Sequence, residues 1–126
     1  MHDKPVKILI VDDDLAISES LKDFLIEIDY DVYTAASANE AITLVDKIKP
    51  HVILTDLSLP DIYGEKLIED IAGKYPEIKF IIHTGKFDYS PSDRLKELGI
   101  SKINILPKPI KDMFELVNTI QAVIKK

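Results

Sequence analysis

The chain contains no cysteine, and this absence excludes three kinds of chemistry at once. Disulfide frameworks, thiolate metal sites and thiol nucleophiles all require cysteine sulfur. Any catalytic or metal-binding group must therefore use oxygen or nitrogen atoms.

Long apolar segments are missing as well. The apolar run from Ile8 to Val11 is among the longest, and it is far shorter than the roughly 20 residues that a membrane-spanning helix needs. Residues 1–7 contain no apolar core of a secretory signal. We therefore expect a cytoplasmic protein with no membrane partner.

Positive charge is scarcer than negative charge, and the formal net charge is -6. Proteins that bind nucleic acid through its phosphate backbone gain most of their affinity from clustered Lys and Arg. We therefore expect no direct contact with nucleic acid.

The 126 residues, 46% of them hydrophobic, are enough to form one continuous core. No repeat, low-complexity tract or linker divides the sequence. The prediction is a single domain over residues 1–126.

Five short apolar segments rich in β-branched residues predict five strands. They lie at residues 6–11, 31–35, 51–55, 78–84 and 102–106. Amphipathic helical spacing predicts helices between and after them. The apolar positions of these helical faces are Ile17, Leu21, Phe24, Leu25 and Ile28; Ala38, Ala41, Ile42, Val45 and Ile48; Leu67, Ile68 and Ile71; and Leu116, Val117, Ile120, Val123 and Ile124. Alternation of strand and helix predicts an α/β fold, a five-stranded parallel sheet with helices on both faces.

Local signals set several helix boundaries. Ser37 followed by Glu40 predicts a capping box, and Ser90 followed by Pro91 predicts an N-cap and the first position of the fourth helix. Gly99 is typical of a residue that ends a helix.

Acidic residues follow two of the predicted strands. Strand one leads into Asp12, Asp13 and Asp14, and strand three leads into Asp56. The carboxyl ends of parallel strands share one edge of the sheet, where ligands collect. Like charges held close together repel, so a cation is expected among them, and Mg²⁺ prefers such oxygen ligands. For Asp14 alone, N-capping of the next helix is the favoured interpretation.

Strands four and five add complementary groups at the same edge. Strand four ends in Thr84, a hydroxyl donor, and strand five leads to Lys108, whose ammonium can bind a phosphoryl oxygen. Lys108 stands between Pro107 and Pro109, and a cis bond between Lys108 and Pro109 would aim the side chain inward.

Together these residues indicate phosphoryl transfer. Asp56 stands alone and is the candidate nucleophile, whereas Asp12 and Asp13 form a pair suited to holding the ion. The ion and Lys108 would neutralise the phosphoryl oxygens, and Thr84 would hydrogen-bond the acyl phosphate product.

The motifs ILIVDDD, LTDLSLPDIYG, IIHTG and LPKP resemble those of the receiver domains of two-component response regulators, over essentially the whole chain. The resemblance implies the flavodoxin-like (βα)5 receiver fold with strand order 2-1-3-4-5. It also implies that Asp56 accepts a phosphoryl group from the phosphohistidine of a sensor histidine kinase or a histidine phosphotransfer domain. Mg²⁺, for which Mn²⁺ can substitute, would be bound by Asp12, Asp13, Asp56 and the backbone carbonyl of Ser58.

The resemblance further implies that Pro60 and Gly64 shape the loop after Asp56. The signal would reach a downstream protein or an output domain through the face made by helix 4, strand 5 and helix 5. Such a module is a phosphoacceptor in a phosphorelay rather than an enzyme acting on external substrates, and either a monomer or a weak homodimer fits it.

Two features affect what the resemblance implies. Where the family commonly has a switching Tyr or Phe three residues before the lysine, this chain has Ile105, so we expect the signal to leave by another route. Ser58 and Lys86, two residues beyond Asp56 and Thr84, are expected to influence how long the phosphoryl group survives.

Three other functions share parts of this pattern. Aspartate-nucleophile phosphohydrolases resemble one another in a second Asp two residues after the nucleophile, and here that residue is Ser58. A flavin module needs a phosphate cradle after strand one, where three aspartates would repel a phosphate. A degenerate receiver that acts only as an interaction module is the alternative left open.

The histidines and two loop aromatics are the remaining candidates for a functional role. His2, His51 and His83 are scattered with no ligand spacing, so a functional histidine is not expected. Phe87 and Tyr89 have two interpretations. They are a partner-binding feature or a substitute for the aromatic switch, or else they are part of a loop that a buried ring anchors. The residues do not distinguish a free-standing regulator from part of a larger protein.

Overall fold

A parallel five-stranded sheet forms the centre of the molecule in the computed structural model, which describes residues 4–125. The strands are β1 (Lys7–Val11), β2 (Asp31–Ala35), β3 (Val52–Thr55), β4 (Lys79–Thr84) and β5 (Ile105–Pro107). Their order in the sheet is β2-β1-β3-β4-β5, and every neighbouring pair is parallel. The predicted fold class and strand order are confirmed.

Within residues 4–125, five α-helices connect and cover the strands. They are α1 (Leu15–Glu27), α2 (Ala38–Ile48), α3 (Gly64–Lys74), α4 (Asp93–Glu97) and α5 (Met113–Lys125). No helix within residues 4–125 is long and apolar enough to cross a membrane.

The core has two parts because side chains of a strand alternate between the two faces of the sheet. On β1, Leu9 belongs to the cluster that α2, α3 and α4 cover, whereas Ile8 and Ile10 belong to the cluster under α1 and α5. Most of the predicted helical faces are buried in these clusters. The exceptions are Ile48 and Val117, which are half-buried and belong to neither cluster, and Ile28, Ile42 and Ile124, which are exposed.

The prediction for strand five was wrong in its first half. Residues Lys102–Asn104 form a short 3₁₀ helix, and β5 begins only at Ile105. The Asn104 side chain is the cause, since its Oδ1 accepts from the Ser101 N–H at 3.0 Å and its Nδ2 donates to the Phe80 carbonyl at 2.8 Å. These bonds stabilise a turn where the apolar pattern alone suggests extended chain.

The start of α4 was also predicted two residues too early. Ser92, rather than Ser90, is the N-cap, and its Oγ accepts from the Leu95 N–H at 3.2 Å. The Ser92 N–H donates to the Glu65 carboxylate at 3.4 Å, which holds Ser92 outside the helix.

The other two predicted helix boundaries are confirmed, although the capping box predicted at Ser37 forms only in part. Ser37 caps α2 by accepting from the Glu40 N–H at 3.2 Å, although the Glu40 carboxylate reaches back to the Ala36 N–H rather than to that of Ser37. Gly99 follows α4 with a φ of 93°, a conformation that glycine adopts without strain.

Candidate functional site

Three carboxylates meet at the carboxyl edge of the sheet. The side chains of Asp12, Asp13 and Asp56 each offer an oxygen, and these oxygens all lie within 4.8 Å of one another. Asp12 is buried, Asp56 is half-buried and Asp13 is exposed, so the cluster opens to solvent on one side.

The pairing of β1 with β3 brings them together. Val11 and Thr55 are register partners at the ends of these strands, so the next residues leave the sheet side by side. The Asp56 N–H donates to the Val11 carbonyl at 3.0 Å, which extends the ladder by one step and fixes the Asp56 backbone.

Lys108 joins two of the carboxylates. Its Nζ lies 2.8 Å from Asp12 Oδ2 and 3.0 Å from Asp56 Oδ2. Burial lowers the pKa of Lys108, but the hydrogen bonds to Asp12 and Asp56 outweigh burial and raise that pKa above its usual value. Lys108 is therefore a cation at neutral pH.

The backbone of Lys108 is hydrogen-bonded to the end of β4. The Lys108 N–H donates to the Thr84 carbonyl at 2.9 Å, and the Lys108–Pro109 peptide bond is cis, as the flanking prolines suggested.

Thr84 is buried at the end of β4, at the same edge of the sheet. Its Oγ1 accepts from the Lys86 N–H at 3.1 Å. Within residues 4–125, no hydrogen bond joins the Thr84 hydroxyl to Asp56.

The loop after β3 supplies the remaining predicted residues. The Ser58 N–H approaches Asp56 Oδ1 at 3.4 Å, and Pro60 is exposed in the same loop. Gly64, the first residue of α3, packs against the Asp56 backbone. The role of the Ser58 carbonyl as a metal ligand stays a prediction.

Asp14 caps α1, as predicted. Its Oδ1 accepts from the Ile17 N–H at 3.2 Å. The Asp14 N–H in turn donates to Asp12 Oδ1 at 2.9 Å, which orients the buried carboxylate toward the cluster.

These donors suit a metal ion. All three side chains offer carboxylate oxygens, which hard divalent cations prefer, and the exposed side of Asp13 leaves room for water or a phosphoryl oxygen. The cluster could therefore hold a metal ion.

His83 is a residue whose environment the sequence did not predict. It is 3% exposed, and among the described residues its Nε2 has no hydrogen-bond partner. Burial, together with the nearby charge of Lys108, lowers the pKa of His83 to about 4. His83 and Lys108 line a cavity of about 300 Å³ between α1 and the segment that leads into α5. A histidine within the apolar pattern of β4 was the only sequence signal.

His51 makes an ordinary backbone contact. His51 Nδ1 accepts from the Lys7 N–H at 2.9 Å, which joins the residue before β3 to the start of β1. His2 lies outside the described residues.

The two loop aromatics have different environments. Phe87 is 99% exposed. Tyr89 is partly buried, packs against the core under α4, and donates its hydroxyl to Glu65 on α3. Burial and the Glu65 carboxylate both raise the pKa of Tyr89, so its hydroxyl stays protonated. Of the two interpretations of these aromatics, the loop anchored by a buried ring therefore describes Tyr89.

Known proteins share this fold and sequence pattern. The family model described as "Response regulator receiver domain" matches residues 8–121. The response regulator MprA of Mycolicibacterium vanbaalenii is 29% identical over 122 residues, which are 97% of this chain and 52% of that protein. The chain thus spans about half the length of the curated relatives it matches.

Solved structures agree. The non-phosphorylated HemR receiver domain from Leptospira biflexa is 32% identical, with a TM-score of 0.80 over 98% of this chain and 96% of that one. A CheY-like response regulator receiver domain protein from Methanospirillum hungatei JF-1 is 29% identical, with a TM-score of 0.79 over 97% of this chain and 95% of that one. With its fold, its acidic cluster and the family match over residues 8–121, this chain belongs to the response regulator receiver domain family.

Proposed function

We propose that residues 1–126 form a single receiver domain in which Asp56 accepts a phosphoryl group from a phosphohistidine in a magnesium-dependent reaction. One observation carries the proposal. The Lys108 ammonium contacts Asp12 and Asp56 at once, and Asp13 completes a carboxylate cluster beside them. This combination of a nucleophile, metal ligands and a phosphate-binding cation is what phosphoryl transfer needs.

Asp56 is the nucleophile. One of its carboxylate oxygens attacks phosphorus, the new O–P bond forms as the bond from phosphorus to the donor's imidazole nitrogen breaks, and the electron pair of that bond stays on the imidazole. An ionised carboxylate needs no general base, so no proton has to be removed from Asp56. The product is an acyl phosphate.

Lys108 and Thr84 act on the phosphoryl oxygens. Lys108 carries a fixed positive charge within 3.0 Å of Asp56 Oδ2, so it can follow the charge that moves onto the phosphoryl group. The Thr84 hydroxyl has a proton to donate while its oxygen accepts from the Lys86 N–H.

Asp12, Asp13, Asp56 and the backbone carbonyl of Ser58 would hold Mg²⁺, and Mn²⁺ can take its place. When bound, the ion supplies positive charge that offsets the repulsion among the carboxylates and the incoming phosphoryl oxygens. Asp12 and Asp13 hold their positions without reacting.

The partners follow from the chemistry. A histidine kinase or histidine phosphotransfer domain donates the phosphoryl group, and a downstream protein or output domain responds. The domain acts as a signalling module, and phosphorylation changes the affinity of the face made by α4, β5 and α5 by shifting a conformational equilibrium.

Intact mass spectrometry tests the proposal directly. We expect one added phosphoryl group after incubation with acetyl phosphate or phosphoramidate and Mg²⁺, and none for Asp56→Asn or with excess chelator. Titration with fluoroberyllate and Mg²⁺ separates a short-lived adduct from none. If the chain neither gains mass nor binds fluoroberyllate, it is a degenerate receiver and the proposal is wrong.

A further inference from the structure

A chain of hydrogen bonds leads away from the candidate site through the loop between β4 and α4. Thr84 Oγ1 accepts from the Lys86 N–H at 3.1 Å, and the Lys86 carbonyl accepts from the Tyr89 N–H at 3.1 Å. The Tyr89 hydroxyl then donates to Glu65 Oε2. Four residues thus connect the edge of the sheet to α3.

Glu65 anchors two parts of this connection. Its Oε2 accepts from the Tyr89 hydroxyl and is approached by the Ser92 N–H at 3.4 Å. Ser92 is the N-cap of α4. A single carboxylate in the first turn of α3 therefore holds both the loop and the start of the next helix.

Tyr89 also fills space in the core. Its ring packs against the cluster that α2, α3 and α4 cover, and Ile105 of β5 packs against the same cluster. Ile105 has no hydrogen-bonding group on its side chain, whereas Tyr89 joins apolar packing to a polar contact. A movement that separates Tyr89 from α3 must therefore break its hydrogen bond to Glu65.

We propose that the Tyr89–Glu65 hydrogen bond is a conformational latch that couples Thr84 to the start of α4. The inference rests on the proposed function. When the Thr84 hydroxyl turns to an acyl phosphate on Asp56, the oxygen that accepts from the Lys86 N–H moves. The turn from Lys86 to Tyr89 follows, the latch opens, and Ser92 loses the carboxylate that fixes the beginning of α4.

The latch predicts the direction in which the affinity for a phosphoryl analogue changes when the bond is removed. We call the conformation with the Tyr89–Glu65 bond closed and the one without it open. Because the bond stabilises only the closed conformation, it opposes any ligand that favours the open one. Removal of that bond should tighten the binding of a phosphoryl analogue, although the altered residue lies outside the site. A bond that only stabilises the fold would leave the affinity unchanged.

Isothermal titration calorimetry of the full chain with fluoroberyllate and Mg²⁺ measures this effect. Tyr89→Phe keeps the ring and removes only the hydroxyl, and we expect its Kd to fall about three- to tenfold. Tyr75→Phe is the matched control, because Tyr75 makes the same kind of bond to Asp46, between α3 and α2 and away from the site. Its Kd should equal that of the unaltered chain.

A second pair of variants tests whether both residues act through one bond. Glu65→Ala should tighten binding as Tyr89→Phe does, and the double variant should add little further, because the bond can be lost only once. Glu65→Gln keeps an acceptor for the Tyr89 hydroxyl and should lie nearer the unaltered chain.

Hydrogen exchange of the unaltered chain gives an independent measurement. Fluoroberyllate should speed exchange of the Tyr89 and Ser92 amides while it slows exchange near Asp56. If fluoroberyllate binds but leaves those amides and the Tyr89→Phe affinity unchanged, the latch is refuted and the receiver function stands. If the unaltered chain does not bind fluoroberyllate, the proposed function itself fails.

Discussion

Gly64 and Asp56 are so close that a methyl group at Gly64 would lie 2.4 Å from the Asp56 carbonyl oxygen. The Gly64 N–H also donates to the Leu57 carbonyl at 2.7 Å. The start of α3 is thus pressed against the backbone of the candidate phosphoacceptor. Only glycine permits this approach without displacing one of the two segments.

Gly64→Ala should therefore damage both stability and phosphorylation. The nearest atoms belong to backbone, which cannot rotate away, so we expect a loss of about 1–3 kcal/mol in the free energy of unfolding. The displaced Asp56 should also accept a phosphoryl group more slowly. Urea denaturation and the time course of the mass gain measure the two effects.

Gly73→Ala is the control for that substitution. Gly73 lies in the same helix, and a methyl group there meets no atom within 4 Å. Alanine favours a helix over glycine, so stability should rise by up to about 1 kcal/mol, with the phosphorylation rate unchanged. Equal effects of the two substitutions would contradict the assignment of Gly64 to the site.

Lys108 should restrain metal affinity while it assists the reaction. Lys108→Met removes a positive charge that lies within 3.0 Å of both Asp12 and Asp56. Mg²⁺ should then bind about three- to tenfold more tightly, because the ion no longer meets that repulsion. The mass gain from acetyl phosphate should slow, since the phosphoryl oxygens lose a cationic partner. Calorimetry and mass spectrometry read the two changes.

Lys111→Met serves as the matched control for Lys108→Met. Lys111 is exposed and three residues away, so its removal changes the net charge equally without altering the cluster. A similar gain in Mg²⁺ affinity would mean that net charge, rather than the contact, sets the affinity.

The position of the carboxylate cluster at the carboxyl edge of the sheet could be predicted from the sequence, because it depends on a few strong rules. Apolar, β-branched segments that alternate with helices specify a parallel sheet, and parallel strands place their carboxyl ends together. Asp12 and Asp56 follow the ends of adjacent strands, so no knowledge of individual contacts was needed. Lys108 and Thr84 reach the edge for the same reason.

The errors lie where distant side chains decide local structure. Asn104 forms a turn because its amide meets the Phe80 carbonyl, and Ser92 replaces Ser90 as the N-cap while bonded to Glu65. Such partners are far apart in sequence, and no local pattern identifies them. The environment of His83 was missed likewise, because periodicity does not show that its Nε2 is buried with no hydrogen-bond partner among residues 4–125.

Ser58 and Lys86 should set the lifetime of the phosphoryl group. Both are exposed, and the Lys86 backbone bond to Thr84 survives truncation of its side chain. We expect Ser58→Ala and Lys86→Ala to change the rate at which the added mass is lost after the phosphodonor is removed. Ser90→Ala, an exposed loop serine, is the control. If both variants lose the group at the unaltered rate, this prediction is wrong.

The buried His83 should make stability depend on pH. Burial, with the charge of Lys108, lowers its pKa from 6.5 to about 4, while Asp12 and Asp56 act in the opposite direction. Between these two values the unfolded chain binds a proton that the folded chain does not. Stability is therefore unaffected by His83 above about pH 6.5 and falls as the pH drops toward 4, by up to about 3 kcal/mol.

His83→Asn isolates this effect from that of the carboxylates, which also titrate in acid. The difference in the free energy of unfolding between the variant and the unaltered chain, measured by urea denaturation, should be constant above pH 6.5 and should shift in favour of the variant as the pH falls to 4. A difference that stays constant over the whole range would mean that His83 takes up its proton as readily in the folded chain as in the unfolded one. The folded chain would then have to supply a hydrogen-bond partner or a path for water to His83 Nε2.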